Sequence, residues 1–387
     1  MSIRSSTLLY ETSSLTQQRS LPGQLRPPTP SLTANMSTTT RGPALPPGRT
    51  KHHIVVLESI HAPMPTFSFP HTITLHPRTA PNEVEERIKD ADIVIACIAP
   101  VTPPMLKTAT HLGCLCIMAV GIAWLDREAF AKAGVTVTNC PGGNLEAVGE
   151  HVLALYLGLR KRVVEMDGAI KGSMEWVEKG TLAGRWDGPP RGVGQEVVGV
   201  LGYGNLGTRV EKNFKALGAK EVLIAGRKGS GELREGRTSF EEVMRRASVI
   251  VVCVPKGDDT IDLIGENELR MMQKDALVIN VARGGIVNEQ ALATALRERR
   301  IGGAAADVLS VEPVAPGMNP LIPDKWKGEE DIPNLILSPH LAWFTQTTIK
   351  NYQKMLKDGA ERWVDGSLEK DGKIDPIVVT HRELVWR

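Results

Sequence analysis

The segment that most constrains how this chain folds is Gly202-Tyr203-Gly204-Asn205-Leu206-Gly207. It follows the β-branched run 197–201 directly, and the residues after it repeat apolar side chains at helical spacing. In that strand–turn–helix context the pattern is typical of a dinucleotide-binding site. Gly202 permits the tight turn, Gly204 lets a pyrophosphate approach the backbone, and Gly207 lets helix and strand pack closely. The N-terminus of the helix then faces the phosphates.

The end of the next predicted strand, residues 221–225, indicates which dinucleotide is preferred. Sites for NAD usually carry Asp or Glu there, because the carboxylate binds the adenosine ribose hydroxyls. This chain has Gly226-Arg227-Lys228 instead, and a guanidinium suits bidentate binding of a 2′-phosphate. The segment therefore predicts NADP as the cofactor, with NAD as second choice. A solvated basic turn is the alternative interpretation.

Strand-like apolar runs alternate with helical segments along most of the chain. This alternation predicts an α/β fold with a mostly parallel sheet. A length of 387 residues exceeds what one compact core usually holds, so two domains plus extensions are expected.

Residues 1–50 differ in composition from the rest, since they are rich in Ser, Thr and Pro and have Glu11 as their only acidic residue. Such a segment cannot bury a core and is predicted to be disordered. It also resembles a mitochondrial transit peptide. Its prolines disfavour the helix of such a peptide, which favours a nonfunctional extension or a start at Met36. The expected location is the cytoplasm, with the mitochondrion as the alternative.

Composition and spacing argue against several other classes of function. Lys and Arg number 46 against 44 Asp and Glu, so no charge excess points to nucleic acid or an anionic membrane. No apolar run is long enough to span a bilayer. Cys114 and Cys116 form a pair, but no second Cys/His pair follows at zinc spacing, and no metal site is predicted. The odd total of five cysteines, mostly in apolar runs, indicates reduced thiols inside a cell.

Three ionisable residues lie downstream of the glycine segment, each in a short stretch marked by glycine or proline. Arg283 lies within 280–285, Glu312 within 307–313, and His340 within 338–343. A cation, a carboxylate and an imidazole are what a site needs to hold a 2-oxo acid and protonate its carbonyl oxygen. Each alone is an ordinary loop residue; the ordered set after a dinucleotide loop predicts a site.

Taken together, about residues 53–365 resemble the D-isomer-specific 2-hydroxyacid dehydrogenases, a family that includes glyoxylate and hydroxypyruvate reductases. The segments that carry the resemblance are 202–207, Val254-Pro255, 277–287, 303–307, Glu312-Pro313 and Pro339-His340. The resemblance implies two Rossmann-like domains and a homodimer formed through the cofactor domain. The substrate domain would be discontinuous, comprising 51–150 and the return helix and tail 340–387, with the doubly wound NAD(P)-binding domain 151–339 inserted.

The resemblance also implies roles for the three ionisable residues. Arg283 would hold the substrate carboxylate and polarise the keto oxygen. His340 would donate a proton to that oxygen, and Glu312 would orient the imidazole and favour its protonated form. The expected reaction is reduction of a small 2-oxo acid, such as glyoxylate or hydroxypyruvate, to the D-2-hydroxy acid, with the nicotinamide as hydride donor.

Further positions match the family's binding residues. Those expected to contact the cofactor are Asn205, Leu206, Val254, Pro255, Thr260, Ala282 and Asp307, the last accepting from the nicotinamide carboxamide. Those expected to contact the substrate, besides Arg283, are Val101, Gly121 and Trp343. For Trp343 a structural place at the domain hinge is the alternative.

Two departures from the family pattern leave the substrate open. Gly121-Ile122-Ala123 replaces the usual Gly-x-Asp, and Pro100 removes a backbone donor from its loop. Two rival functions exist on the same scaffold. A formate dehydrogenase would carry Gln in place of Glu312, which argues against that activity. A nicotinamide-nucleotide-sensing binding protein, similar to transcriptional corepressors, would retain the same three residues, and only turnover separates it from an enzyme.

Overall fold

The structure is a computed structural model that describes residues 42–186, 188–324, 332–370 and 373–386. The predicted disordered extension falls mostly on residues 1–41, which lie outside the described residues. Residues 42–50 form coil and turns. Arg49 in this stretch pairs with Asp92 at 2.9 Å, so ordered contacts extend N-terminal of Lys51.

The described chain alternates strands and helices, as expected. In chain order the strands are β1 (His52–Val56), β2 (His71–Leu75), β3 (Ile93–Ala96), β4 (Cys114–Ile117), β5 (Thr136–Thr138), β6 (Val197–Leu201), β7 (Glu221–Ile224), β8 (Val249–Val252), β9 (Leu277–Asn280), β10 (Gly303–Ala306), β11 (Leu335–Leu337), β12 (Glu369–Lys370), β13 (Lys373–Ile374), β14 (Val378–His381) and β15 (Leu384–Val385). The helices are α1 (Val84–Ile88), α2 (Arg127–Lys132), α3 (Leu145–Arg160), α4 (Val163–Gly172), α5 (Glu175–Lys179), α6 (Asn205–Leu217), α7 (Phe240–Arg246), α8 (Glu266–Met271), α9 (Glu289–Arg297) and α10 (Gln346–Asp365).

The first sheet has the strand order β15-β14-β5-β4-β3-β1-β2. Strands β1 to β5 pair in parallel, whereas β14 joins β5 antiparallel. Strands β3 and β4 are buried along their whole length, as expected for parallel strands covered on both faces. The C-terminal strands therefore complete a sheet that the N-terminal strands begin.

The second sheet is parallel throughout, with the order β11-β10-β9-β8-β6-β7. The chain starts this sheet in β6, places β7 on one side of it and β8 on the other. Ligands of such sheets bind at the carboxyl ends of the strands where the order reverses, and here that point is the end of β6. The predicted α/β class with Rossmann-like parallel sheets is confirmed.

Helix α3 is held to the second sheet by a buried ion pair. Nε of Arg160 lies 2.5 Å from Oε1 of Glu196, and Nη2 lies 3.0 Å from Oε2. Glu196 is fully buried and also accepts from the hydroxyls of Tyr156 and Ser248. The apolar stripe of α3, which includes Val152 and Leu159, packs on the same sheet, so this face is core.

Helix α10 crosses from the second sheet back to the first. Tyr352, Leu356, Ala360 and Trp363 on its buried face pack against the strands of the first sheet. A Cβ at Gly359 would lie 2.8 Å from the hydroxyl oxygen of Thr138, so the helix approaches β5 closely because this position is glycine. Among the described residues, no helix combines the length and the apolar composition that crossing a membrane requires.

Candidate active site

The glycine segment forms the turn between β6 and α6, and its three glycines meet different surroundings. Gly202 has φ +95°, and a Cβ there would lie 2.8 Å from the backbone nitrogen of Val254. A Cβ at Gly207 would lie 2.1 Å from the carbonyl oxygen of Gly202. A Cβ at Gly204 would meet nothing within 4 Å. The first and third glycines therefore serve packing, and the second borders open space at the N-terminus of α6, where a pyrophosphate fits.

The other predicted cofactor positions after β8 lie opposite this turn. Val254 packs against Gly202. The hydroxyl of Thr260 donates to the carbonyl of Pro255 at 2.8 Å and accepts from the backbone nitrogen of Gly257 at 2.8 Å. Thr260 thus closes the loop 255–260 that follows Val254, next to the glycine turn.

The two basic residues after β7, Arg227 and Lys228, differ in exposure and in their partners. The Arg227 side chain is 77% exposed, and its Nη2 lies 2.5 Å from Oδ2 of Asp259. Nζ of Lys228 lies 2.9 Å from Oε1 of Glu268 and donates to the Leu263 carbonyl at 3.1 Å. Both side chains are therefore paired, and Arg227 is the more exposed of the two, at 77% against 39% for Lys228.

Arg283 follows β9 in a turn that Asn280 holds. The Asn280 side chain accepts from the backbone nitrogen of Ala282 at 3.1 Å and donates to the carbonyl of Arg283 at 2.9 Å. A Cβ at Gly121 would lie 1.7 Å from Nη2 of Arg283. The guanidinium therefore lies on the backbone of Gly121, which follows β4, and joins the two sheets at a point where any Cβ would displace the guanidinium.

His340 and Glu312 meet in the second sheet's loops. Nδ1 of His340 lies 2.6 Å from Oε2 of Glu312, and Oε1 of Glu312 accepts from the backbone nitrogen of Leu309 at 2.6 Å. Partial burial raises the pKa of Glu312, but these two hydrogen bonds and the charges of His340 and Arg283 outweigh it and hold that pKa below its ordinary value. The carboxylate is thus ionised at neutral pH. Nε2 of His340 makes no hydrogen bond within the described part of the chain, which leaves it for a substrate.

Asp307 organises the loop that carries His340. Its Oδ1 accepts from the Ser338 hydroxyl at 2.6 Å and from the backbone nitrogen of Leu341, and its Oδ2 accepts from that of Ala342. Its carbonyl accepts from the backbone nitrogen of His340 at 2.8 Å, which helps hold His340 at φ +55°.

Two further residues around this site were not predicted. Nε2 of His151, on α3, lies 3.0 Å from the Ser338 hydroxyl. The buried carboxylate of Glu58 accepts from the backbone nitrogens of Cys97, Ile98 and Ala99 and so shapes the loop that leads to Pro100. Nothing in the local sequence marks either residue, because each acts on a segment distant along the chain.

The predicted substrate positions Val101 and Trp343 differ in exposure. The Val101 side chain is buried in the core of the first sheet, so only its backbone can face a ligand. Trp343 is half-buried, stacks on Tyr352 with ring centroids 6.0 Å apart and meets His61 edge-on at 6.4 Å. Trp343 therefore packs an aromatic group against the first sheet three residues after His340.

Comparison with known proteins shows the family. Residues 153–342 match the family model for the NAD-binding domain of D-isomer-specific 2-hydroxyacid dehydrogenases. A glycerate dehydrogenase of Methylorubrum extorquens is 32% identical over 310 residues, which is 80% of this chain and 94% of that enzyme. The chain belongs to the D-isomer-specific 2-hydroxyacid dehydrogenase family. The family predicted from the sequence motifs is therefore confirmed.

A second relative by sequence and a solved structure are consistent with membership of this family. A glyoxylate reductase of Aeropyrum pernix is 34% identical over 288 residues, covering 73% of this chain and 80% of that enzyme. The structure of an NADPH-dependent glyoxylate/hydroxypyruvate reductase from Sinorhizobium meliloti, with NADP and malonate, superposes with a TM-score of 0.66. It covers 87% of this chain and 99% of its own, at 22% identity, and so supports the fold alone.

Proposed function

We propose that this dehydrogenase reduces a small 2-oxo acid, glyoxylate, hydroxypyruvate or a similar acid, to the D-2-hydroxy acid with NAD(P)H. The observation that carries the proposal is the His340–Glu312 pair at 2.6 Å. Nε2 of His340 has no hydrogen bond to the described residues, and the Arg283 guanidinium lies on Gly121. An anion-binding guanidinium and a proton donor next to a dinucleotide crevice are the parts that keto-acid reduction requires.

The residues divide the chemistry as follows. Arg283 binds the substrate carboxylate through its planar fork and polarises the keto oxygen. The imidazolium form of His340 donates its Nδ1–H to Glu312 in a hydrogen bond and gives the Nε2 proton to the oxygen as negative charge develops there. Glu312 stabilises the imidazolium and fixes the ring. When bound, the nicotinamide cofactor supplies the hydride.

The two sheets support a division of the chain into a substrate domain and a cofactor domain. We infer that 51–150 and 340–387 form the substrate domain and that 151–339 form the cofactor domain, since the first sheet takes its strands from both ends of the chain and the second from its middle.

Asp307 holds the loop that carries His340 through three side-chain hydrogen bonds, and its contact with the nicotinamide carboxamide stays a prediction. All five cysteines are free thiols, which supports the cytoplasm as the location.

Turnover is the direct test of the proposed function. NADPH and NADH oxidation is to be followed with glyoxylate, hydroxypyruvate, pyruvate and branched-chain keto acids, each against a blank without acid. Rapid oxidation with at least one acid is expected. Tight cofactor binding without oxidation by any acid would instead support the nucleotide-sensing alternative.

The cofactor is proposed to be NADPH, through the accessible guanidinium of Arg227. Replacing Arg227 with Asp is expected to shift the ratio of kcat/KM from NADPH toward NADH by roughly tenfold to a hundredfold, because a charge-assisted hydrogen bond is lost and the new carboxylate repels the 2′-phosphate. Lys228→Ala serves as the comparison and is expected to shift the ratio less, because Glu268 already binds Lys228. An unchanged ratio in the Arg227 variant rejects this role.

A homodimer is proposed through the apolar surface of α4 and α5. Val163, Val164, Met166, Ile170, Met174, Trp176 and Val177 are each 37–71% exposed, an unusual density of apolar side chains for a free surface. A second copy of the chain is the occupant that the family resemblance implies. Val164→Asp is expected to give a monomer by light scattering, and Val385→Asp, at another exposed valine, is expected to stay dimeric. A wild-type monomer at micromolar concentration contradicts the proposal.

A further inference from the structure

Arg237 is a cation that the sequence motifs did not identify, and its side chain packs against the glycine turn. Its guanidinium carbon is 4.6 Å from the ring centroid of Tyr203, the second residue of that turn. The side chain is half-buried, and its guanidinium has no carboxylate partner among the described residues. Stacking on an aromatic ring holds a guanidinium in place and leaves its N–H edge free for an anion.

The backbone brings Arg237 to the carboxyl end of β7, although ten residues separate it from Arg227. The backbone nitrogen of Thr238 donates to the carbonyl of Ile224 at 2.9 Å, and the nitrogen of Gly226 donates to the carbonyl of Thr238 at 2.7 Å. This bridge closes the loop 226–238 and returns Arg237 beside the residues that follow β7. In a doubly wound fold the adenosine ribose binds at that strand end.

Among the cations at this strand end, Arg227 and Lys228 are already paired. Arg234 in the same loop is exposed and stacks on no ring among the described residues, so Arg237 is the cation that is both unpaired and held in place. Arg227 pairs with Asp259, Lys228 pairs with Glu268, and the Tyr203 hydroxyl donates to Glu211. A phosphate that approaches Arg227 has to compete with Asp259 for the same guanidinium. Arg237 carries no such competition.

We propose that Arg237, stacked on Tyr203, binds the 2′-phosphate of NADP and is the main residue that discriminates NADP from NAD. The inference rests on the proposed preference for NADPH and deepens it. Arg227 then contributes a second contact, reduced by its pairing with Asp259.

Binding of the adenosine halves of the two cofactors tests this role without turnover. Calorimetric titration of the full-length protein with 2′,5′-ADP and with 5′-AMP gives the discrimination as a ratio of Kd values. Arg237→Ala is expected to weaken 2′,5′-ADP by roughly tenfold to a hundredfold and to leave 5′-AMP unchanged. Arg237→Lys keeps the charge but loses the planar fork, so an intermediate Kd is expected. Arg245→Ala removes an exposed charge from α7 and is expected to leave both Kd values unchanged.

Each outcome separates this inference from the proposal on which it rests. If the wild-type protein binds the two ligands equally, the preference for NADPH is wrong and the role of Arg237 falls with it. If the wild-type protein discriminates and Arg237→Ala discriminates as well, the preference stands and the role of Arg237 is wrong. An equal loss of affinity for both ligands also overturns the role of Arg237 in discrimination, because Arg237 then stabilises the loop or contacts the adenosine that both ligands share. Thermal melting of each variant confirms that it is folded.

Discussion

Replacing His340 with alanine is expected to lower kcat for 2-oxo acid reduction by roughly 10²–10⁴-fold. The reason is geometric: Nδ1 is bound to Glu312 at 2.6 Å, so the ring has one nitrogen left from which to protonate the substrate oxygen. The KM for the acid is expected to change much less, because Arg283, the proposed carboxylate ligand, is unchanged in this variant. Initial rates at saturating NADPH, over a range of acid concentrations, separate the two constants.

The backbone of His340 has a positive φ, so a second variant is needed that tolerates this conformation. Its φ of +55° is a conformation that Asn adopts more readily than Ala. His340→Asn therefore removes the proton donor with less strain on the loop, and a similar loss of kcat in both variants assigns the effect to chemistry. His111→Ala, at an exposed histidine, is the control. Near-normal kcat in His340→Asn would show that another group supplies the proton.

Replacing Glu196 with alanine is expected to destabilise the protein by about 3–5 kcal/mol. The change leaves the buried guanidinium of Arg160 without its counter-charge and removes the Glu196 acceptor from the hydroxyls of Tyr156 and Ser248. Urea unfolding at neutral pH, followed by tryptophan fluorescence, measures the loss as a lower midpoint. Asp167→Ala breaks the exposed Lys171–Asp167 pair and is expected to have little measurable effect.

A double variant distinguishes the loss of a charge partner from the loss of packing. Arg160→Met combined with Glu196→Leu removes both buried charges and fills similar volume, so much of the stability is expected to return. A double variant as unstable as Glu196→Ala alone would indicate that packing around α3, and not an unpaired charge, sets the stability.

The elements that could be predicted from sequence are those whose cause is local. The turn at Gly202 joins a β-branched run to a helix with one apolar face, and β6 and α6 (Asn205–Leu217) form as expected. Helix α3 (Leu145–Arg160) likewise has a local cause, since its buried Val148, Val152, Leu155 and Leu159 recur at helical spacing. In each case the hydrophobic period and the backbone demands of glycine lie within a few residues of one another.

The positions that sequence left open depend on partners far along the chain. Lys228 was predicted to face a phosphate, and its place depends on Glu268 in α8. Arg237 was not predicted at all, because its position requires the bridge between Thr238 and the end of β7. The support of Ser338 by His151 joins residues 187 apart, which no local pattern records.

The sequence by itself determined the α/β class and the turn of the glycine segment, and it predicted a site at Arg283, Glu312 and His340, since glycine geometry, hydrophobic period and motif order are properties of short segments. Only the tertiary structure decided which charges are free and which are paired: Arg283 lies on Gly121, His340 pairs with Glu312, and Lys228 is held by Glu268. The physical reason is that the electrostatics of a site depend on distance and burial, and both are set when segments that are separate along the chain pack together.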